Sequence, residues 1–444
     1  MRYGIIVRTG SDSASVPIAA DCIRELRIGG DGADIDIRSF AEEFRKSGAL
    51  PPRVALDFLI FAIAVYSADT RINRSAAHDE WTREITLSIP VQDEALWNSS
   101  QLTFERALNF LTGDRWTLSF RAASDGLSVE KPDDALSRPS KVSLFSGGLD
   151  SFVGALDIAS SGEPALFVGH HAFDVSTSAF QKRAFEHVIS QSADGQTVSL
   201  LRARIVASTD VFKLGRDENE RARSLLFIAM GCVVAAGINV KSLQVSENGF
   251  ISLNVPLNAL RVGTYSTRTT HPHFLSTIER GLNEVGLELH LTNPYRHATK
   301  GELVKGCRVQ DGLVSMAADT MSCAHPMQSR RTRGAPAMRH CGRCTACLIR
   351  RAALEHAFGE DKTEYTLKDL SAVPLRSDKA EGRDVRAVRL AAQRLAKAPD
   401  LATLIVLKSG PLPLGEYDLY AGVYRRGMDE LWQIVENVKT IGAY

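Results

Sequence analysis

Residues Lys141–Ser151 read KVSLFSGGLDS, an apolar run that breaks into Ser-Gly-Gly-Leu-Asp-Ser and then into a helical pattern. No other stretch constrains the chain as much, because a strand must end, turn and start a helix within a few residues. Val142 to Phe145 is the apolar, β-favouring run of a buried parallel strand. Gly147 and Gly148 let the backbone turn tightly and bring its N–H groups close to an anion. Asp150 and Ser151 then open a helix expected over 151–160, whose N-terminal N–H groups and dipole favour negative charge. Ser146, Gly147, Gly148, Leu149, Asp150 and Ser151 are therefore candidates to hold a polyphosphate. A Walker loop would place Lys after the last glycine; Leu149 stands there, which excludes a P-loop kinase or GTPase. A Gly-rich turn with no ligand is the competing reading.

Far downstream, Cys323 is followed by Cys341, Cys344 and Cys347, the last three spaced CxxCxxC within HCGRCTACLIRR. Four thiolates, three of them close in sequence, suit a tetrahedral metal site. Zn²⁺ is the default for such a set inside a cell, an iron–sulfur cluster is the alternative, and a disulfide pair competes with both. With four ligands in hand no coordination position is left open, so the metal is expected to be structural. Cys22, Cys232 and Cys307 read as core or incidental thiols.

The Ser-Gly-Gly-Leu-Asp-Ser string after a strand resembles the PP-loop of ATP pyrophosphatases. Those enzymes split ATP between its α- and β-phosphates and use the AMP to activate a carboxylate, carbonyl or amide oxygen. Together with the C…CxxCxxC set, the loop is similar to the QueC family, the 7-cyano-7-deazaguanine (preQ0) synthases, over roughly Lys141–Phe358. That resemblance implies adenylation of a 7-deazaguanine carboxylate by ATP, attack by ammonia, then a second activation and dehydration, with Mg²⁺ and Zn²⁺ as cofactors. It implies that Asp150 assists with Mg²⁺. AFQKRAFEH aligns Gln181, Lys182 and Glu186 with a family element, and Arg221-Ala222-Arg223-Ser224 echoes another. Arg223 is then a phosphate-facing cation; a solvated residue at a helix start is its alternative. Thr299-Lys300-Gly301-Glu302-Leu303-Val304 matches a further element and makes Lys300 a candidate for the charge on departing pyrophosphate.

One element departs from the family. Thr267 to Phe274 reads TRTTHPHF, and the acid expected to face a guanine-like edge falls on Thr269, beside Arg268. Glu247 and Asn248 follow an apolar strand-like run at Ser242 to Val245, where they can bind substrate or Mg²⁺ or simply cap the next element. Gln181, Glu247, Asn248, Arg268 and Thr269 make up the candidate substrate set. Arg330, Arg331, Arg333 and Arg339 form a basic stretch that is either a solvated face or a docking surface for an acidic partner or a phosphate.

The chain has 444 residues, room for two or three domains, and a composition of 44% apolar and 24% charged residues with net charge +1. Near-neutral charge argues against bulk nucleic-acid binding and leaves a local patch open. MRYGIIVRTG lacks an apolar signal region, and Val54 to Ala68 and Leu225 to Ile238 are too short to cross a bilayer, so a cytoplasmic protein away from membranes is expected. Residues 1–139 are expected to form an α+β extension, with strands at Tyr3 to Val7, Ile85 to Ile89 and Trp116 to Phe120 and a helix over 54–68. It ends in a polar linker, Lys131 to Pro139. Residues 140–358 alternate strands (142–145, 165–169, 198–201, 242–245) with helices (151–160, 178–191, 221–237), the pattern of a doubly wound parallel sheet. Residues 359–444 return to helical periodicity at Asp384 to Lys397 and Gly422 to Lys439.

Stand-alone preQ0 synthases are about half this length. The layout resembles that of QatC, the QueC-like component of Qat anti-phage defence operons, which implies an operon-encoded protein partner as acceptor. Two further readings stay open: a PP-loop tRNA-modifying enzyme, and a non-catalytic ATP-binding scaffold or sensor. The sequence leaves a homodimer open.

Overall fold

The computed structural model describes residues 1–30, 32–124, 126–127, 139–171, 175–192, 198–208, 210–217, 219–257, 268–325 and 339–442. The first part of the chain forms β1 (Arg2–Thr9), β2 (Cys22–Gly29), β3 (Ile35–Asp36), α1 (Arg38–Lys46), α2 (Arg53–Arg71), β4 (Glu84–Val91), α3 (Glu94–Ser99), α4 (Gln101–Thr112) and β5 (Arg115–Ala122). Next come β6 (Lys141–Leu144), α5 (Leu149–Ala159), β7 (Ala165–His170), α6 (Val175–Gln191), β8 (Val198–Ala203), α7 (Arg223–Gly237), β9 (Ser242–Gln244) and α8 (Gly249–Leu253). They are followed by α9 (Pro272–Glu284), β10 (His290–Thr292), α10 (Lys300–Lys305), α11 (Gln310–Met316) and α12 (Thr345–Phe358). The last part is helical: α13 (Arg383–Lys397), α14 (Leu401–Leu407) and α15 (Tyr417–Val435).

Two five-stranded sheets result, ordered β3-β2-β1-β4-β5 and β10-β9-β6-β7-β8. Every strand pair in both is parallel. Counted within its own sheet, each runs 3-2-1-4-5, the strand order of doubly wound α/β folds. The α+β reading of residues 1–139 is therefore corrected to α/β. β2 gives little strand signal because the adjacent charges Arg24 and Glu25 interrupt its apolar alternation, and β3 has only two residues. β10 was missed for the same reason of length. The linker at 131–138 lies outside the described residues.

Two helices, α2 and α7, join the sheets. They run antiparallel: Ala222 N–H at the start of α7 donates to Asp69 Oδ2 near the end of α2 (2.8 Å), while Leu50 N–H, ahead of α2, donates to Gly237 O at the end of α7 (2.9 Å). Both are apolar around most of their circumference, the signature of a helix buried on all sides. One apolar core accordingly runs from Tyr3, Phe61 and Leu118 through Val142 and Leu226 to Leu289. A second joins Phe250 and Leu253 of α8 to the helices after residue 375, and a third lies under α5 and α6. Among the described residues no helix is long and apolar enough to cross a membrane.

The join is fastened by buried charge. Arg83, fully buried, reaches Asp69 and Asp114 at 2.7 Å each; Arg74 reaches Asp114 at 2.8 Å and Asp217 at 3.6 Å. Arg221 stacks over Trp81 at 4.6 Å and donates to Thr112 O. Replacing Arg83 by Met leaves the buried Asp69 and Asp114 to share Arg74 across two negative charges, and chemical denaturation should show a loss of about 3–5 kcal/mol.

Asp57 lies within α2, accepts Gln92 N–H at 2.8 Å, and is pushed by burial up to about 6. Its folded pKa exceeds the unfolded one, so its ionisation cost builds as pH rises from 4 and is complete above 6. Asp57→Asn should therefore stabilise the protein by on the order of 2–3 kcal/mol at pH 8 and by little at pH 4, read from paired thermal melts.

Candidate functional site

The second sheet changes direction between β6, which continues to β7, and β9 on its other side. Parallel sheets bind ligands outside the carboxyl ends of strands at such a switch point. Two loops meet there, Phe145–Gly148 after β6 and Val245–Asn248 after β9. Gly147 has φ +80°, and a Cβ at that position would sit 2.8 Å from the Gln181 Cα, so both conformation and space demand glycine. Gly148 is the N-cap of α5 and supplies no side-chain cap, which leaves first-turn N–H groups of this eleven-residue helix for an anion. The exposed Ser146 hydroxyl lies 3.0 Å from that of Ser151 and accepts Gly148 N–H at 3.2 Å, while Ser151 donates back to Gly148 O at 3.0 Å. Leu149 is wholly buried and anchors the turn.

Asp150 points into the crevice. Lys300 Nζ pairs with its Oδ1 at 2.6 Å, and its Oδ2 accepts Asn248 N–H at 3.0 Å and Asn248 Nδ2 at 2.6 Å. Burial pushes the Asp150 carboxyl up, but the Lys300 ammonium and hydrogen bonds with Glu247 and Asn248 N–H together hold it below the ordinary carboxylate range. Glu247 goes the other way: burial, reinforced by the Asp150 charge, raises it well above the ordinary range. The crevice thus holds two adjacent carboxyls whose proton affinities are pushed apart, that of Asp150 downward and that of Glu247 upward. Lys300 is the first residue of α10, set by a capping box in which Thr299 Oγ1 accepts Glu302 N–H (3.0 Å) and Glu302 Oε2 accepts Thr299 N–H (2.8 Å). Of the two roles considered for Asn248 the structure shows the cap: its Oδ1 accepts Ile251 N–H at the start of α8 (3.0 Å).

Other candidates fall elsewhere. Gln181 is buried, donates to Phe145 O at 2.7 Å and accepts Arg202 Nε at 3.0 Å, so it braces the end of β6. Lys182 and Glu186 form a solvent-exposed ion pair at 3.7 Å. Arg223 is half-exposed at the start of α7, 3.9 Å from Glu220, and its charge bears on His170 at the end of β7. Arg268 stacks on Phe110 of α4 at 4.4 Å and donates to Phe110 O at 3.1 Å; Thr269 beside it is partly buried. Thr267, Arg330, Arg331 and Arg333 lie outside the described residues, and Arg339 pairs with Glu364 at 2.9 Å. A cavity of about 620 Å³ opens beside β10, lined by Thr270, Asn293, Arg296 and Tyr420 among others. Asn293 links it to the crevice, its amide donating to Glu247 O at 2.8 Å. No sequence signal pointed to Asn293, which is a lone polar residue after a three-residue strand.

The four expected cysteines converge: the Sγ atoms of Cys323, Cys341, Cys344 and Cys347 all lie within 4.8 Å of one another. Backbone N–H groups of His325 and Cys341 donate to Cys323 Sγ at 3.3 Å, and that of Cys344 to Cys341 Sγ at 3.3 Å, as suits thiolates. Nearby Arg350 is fully buried, yet its hydrogen bonds run to neutral oxygens: Thr363 Oγ1 (3.1 Å), Thr320 Oγ1 (2.9 Å), Ser322 Oγ (3.2 Å) and Ala317 O. A divalent ion on four thiolates carries net negative charge and would compensate this cation. The set can hold a metal ion such as zinc. The site is also tied to the loop after β6, since Met321 N–H, two residues before Cys323, donates to Gly147 O at 3.3 Å.

No protein-family model matches the chain, and no curated protein matches it.

Elemental analysis of purified protein is expected to find one metal equivalent per chain, lost in Cys344→Ser. Chelation should speed amide exchange at Met321 and through Gly147–Ser151; unchanged exchange there would show that the loop does not depend on the metal.

Proposed function

We propose that this protein is an ATP-dependent, QueC-like enzyme that adenylates a 7-deazaguanine carboxylate and releases pyrophosphate. The observation that carries the reading is the joining, at one switch-point crevice, of an uncapped Gly-rich loop with the Asp150–Lys300 pair and Glu247. The loop suits ATP: its N–H groups and the Ser146 and Ser151 hydroxyls are donors for the β- and γ-phosphate oxygens. Asp150 and Glu247 suit Mg²⁺, which bound there would draw charge from the phosphates; burial and the Asp150 charge raise the proton affinity of Glu247, so such binding strengthens as pH rises. In the chemical step a substrate carboxylate oxygen attacks the α-phosphorus, the bond from that phosphorus to the α,β-bridging oxygen breaks, and pyrophosphate departs with the electron pair. Lys300, held at the mouth of the loop, neutralises the departing charge. An amine then attacks the acyl-adenylate and AMP leaves. No side chain need act as nucleophile, so positioning and electrostatics supply most of the acceleration.

The cavity beside β10 suits the activated compound, because Asn293 joins it to Glu247. The likeness to the QueC-like component of Qat operons supports an operon-encoded protein as the amine donor and a role in anti-phage defence. Zinc on the four cysteines is assigned a structural role, a cytoplasmic setting fits a reduced thiolate cluster, and Arg223 is assigned to the nucleotide end of the site.

Incubation with ATP, Mg²⁺, 7-carboxy-7-deazaguanine and ammonia should yield AMP and pyrophosphate together with an amide or nitrile product. Asp150→Ala should lower pyrophosphate release by at least about 10²-fold with unchanged far-UV circular dichroism. Full turnover in that variant would defeat the loop assignment. ATP binding without AMP formation by the unaltered protein would instead mark a scaffold or sensor.

A further inference from the structure

The C-terminal helix α15 grips both elements that close on Asp150. On one side is α8, which begins directly after Glu247 and Asn248. Phe250 of α8 stacks on Tyr424 of α15, with ring centroids 5.9 Å apart and planes 12° from parallel. Its ring occupies space available only because residue 427 is glycine, where a Cβ would lie 2.3 Å from it. On the other side is α10. Glu430 of α15 is buried, accepts the Thr299 hydroxyl on one carboxylate oxygen and accepts Gly301 N–H at 3.3 Å on the other. Those two donors flank Lys300. Gly301 leaves no slack, since a Cβ there would meet Glu430 Oε1 at 2.7 Å. One turn earlier Arg426 ties Glu302 and His297 O (3.0 Å) to the same helix.

We propose that Glu430 is a positioning residue acting through Lys300, and that α15 fixes the Lys300 ammonium opposite Asn248 and Glu247. The inference rests on the ATP-activating reading given above. Its physical basis is the number of acceptors. A carboxylate offers an oxygen to each of the two donors, whereas a glutamine of the same size offers one oxygen and turns an N–H₂ group towards the other donor. Glu430→Gln therefore keeps the packing of α15 while releasing one anchor of α10. Lys300 must exchange its Asp150 partner for phosphate oxygens when ATP arrives, and an anchored backbone confines that exchange to the side chain. A shift of α10 by a fraction of an ångström moves the ammonium away from the departing oxygen.

The test compares AMP formation by the unaltered protein, Glu430→Gln, Lys300→Ala and the double variant, with kcat and KM for ATP measured separately. Glu430→Gln should lower kcat about tenfold with KM for ATP changed less than about twofold, and should change kcat less than about twofold once Lys300 is alanine. A double variant whose loss equals the product of the two single losses would overturn the proposal, as would an unchanged kcat in Glu430→Gln. Amide exchange at Gly301 is followed in parallel and needs no turnover: it should quicken in Glu430→Gln and stay as in the unaltered protein in the packing control Trp432→Phe. If the unaltered protein makes no AMP, the activation reading fails, and unchanged Gly301 exchange in Glu430→Gln then rejects the anchoring as well.

Discussion

The Asp69 carboxylate is the point on which the architecture hangs. It accepts the first N–H of α7 and pairs with Arg83 at 2.7 Å and with Arg74 at 3.4 Å. A buried charge so placed is costly unless its partners are complete, and here they come from three separate stretches of chain. The result fixes where α7 starts, and α7 leads directly into β9 and the crevice. Residues 1–139 thus contribute to the same core and the same anchor as the sheet that carries the phosphate loop, although they carry none of its donors.

The two sheets share a strand order but not a surface. Beyond β6 the backbone turns through Gly147, at φ +80°, into the start of α5. Beyond β1, Asp12 instead takes Arg8 at 3.5 Å, while Arg121 lies 2.5 Å from its other oxygen, and Ala14 N–H also bonds to it. Arg8 is further held by Glu25 at 2.7 Å. Charges that satisfy one another locally leave little for a ligand to gain, whereas no side chain caps the first turn of α5. Topology sets the place for a site, and the residue types in the loop decide whether it is used.

Much of this was legible from the chain. The apolar run of β6, its glycine pair and the helix behind it are local features, so strand, turn and helix could be read with their order and nearly their ends. The four cysteines declared themselves by spacing, and Lys300 by its neighbours Thr299 and Glu302, which form the capping box. What could not be read was long-range or faint. In β2 the adjacent Arg24 and Glu25 break the apolar alternation, and β3 and β10 are too short for periodicity. The bonds of Gln181 to Phe145 O and of Glu430 to Thr299 join residues far apart in sequence, and neither partner carries a local mark of it. Arg268 looked available for substrate, but the face of Phe110, more than 150 residues earlier, takes its guanidinium.

The contact between α15 and α10 also bears on how the protein is made. The Gly147–Gly148 turn emerges from the ribosome early, and its strand, turn and helix can form from residues close by. Glu430 and Tyr424 arrive much later, so a growing chain holds the loop for a long interval without the helix that steadies Lys300. During synthesis the bond between Glu430 and Thr299 is therefore among the last to form, a timing imposed by chain order alone.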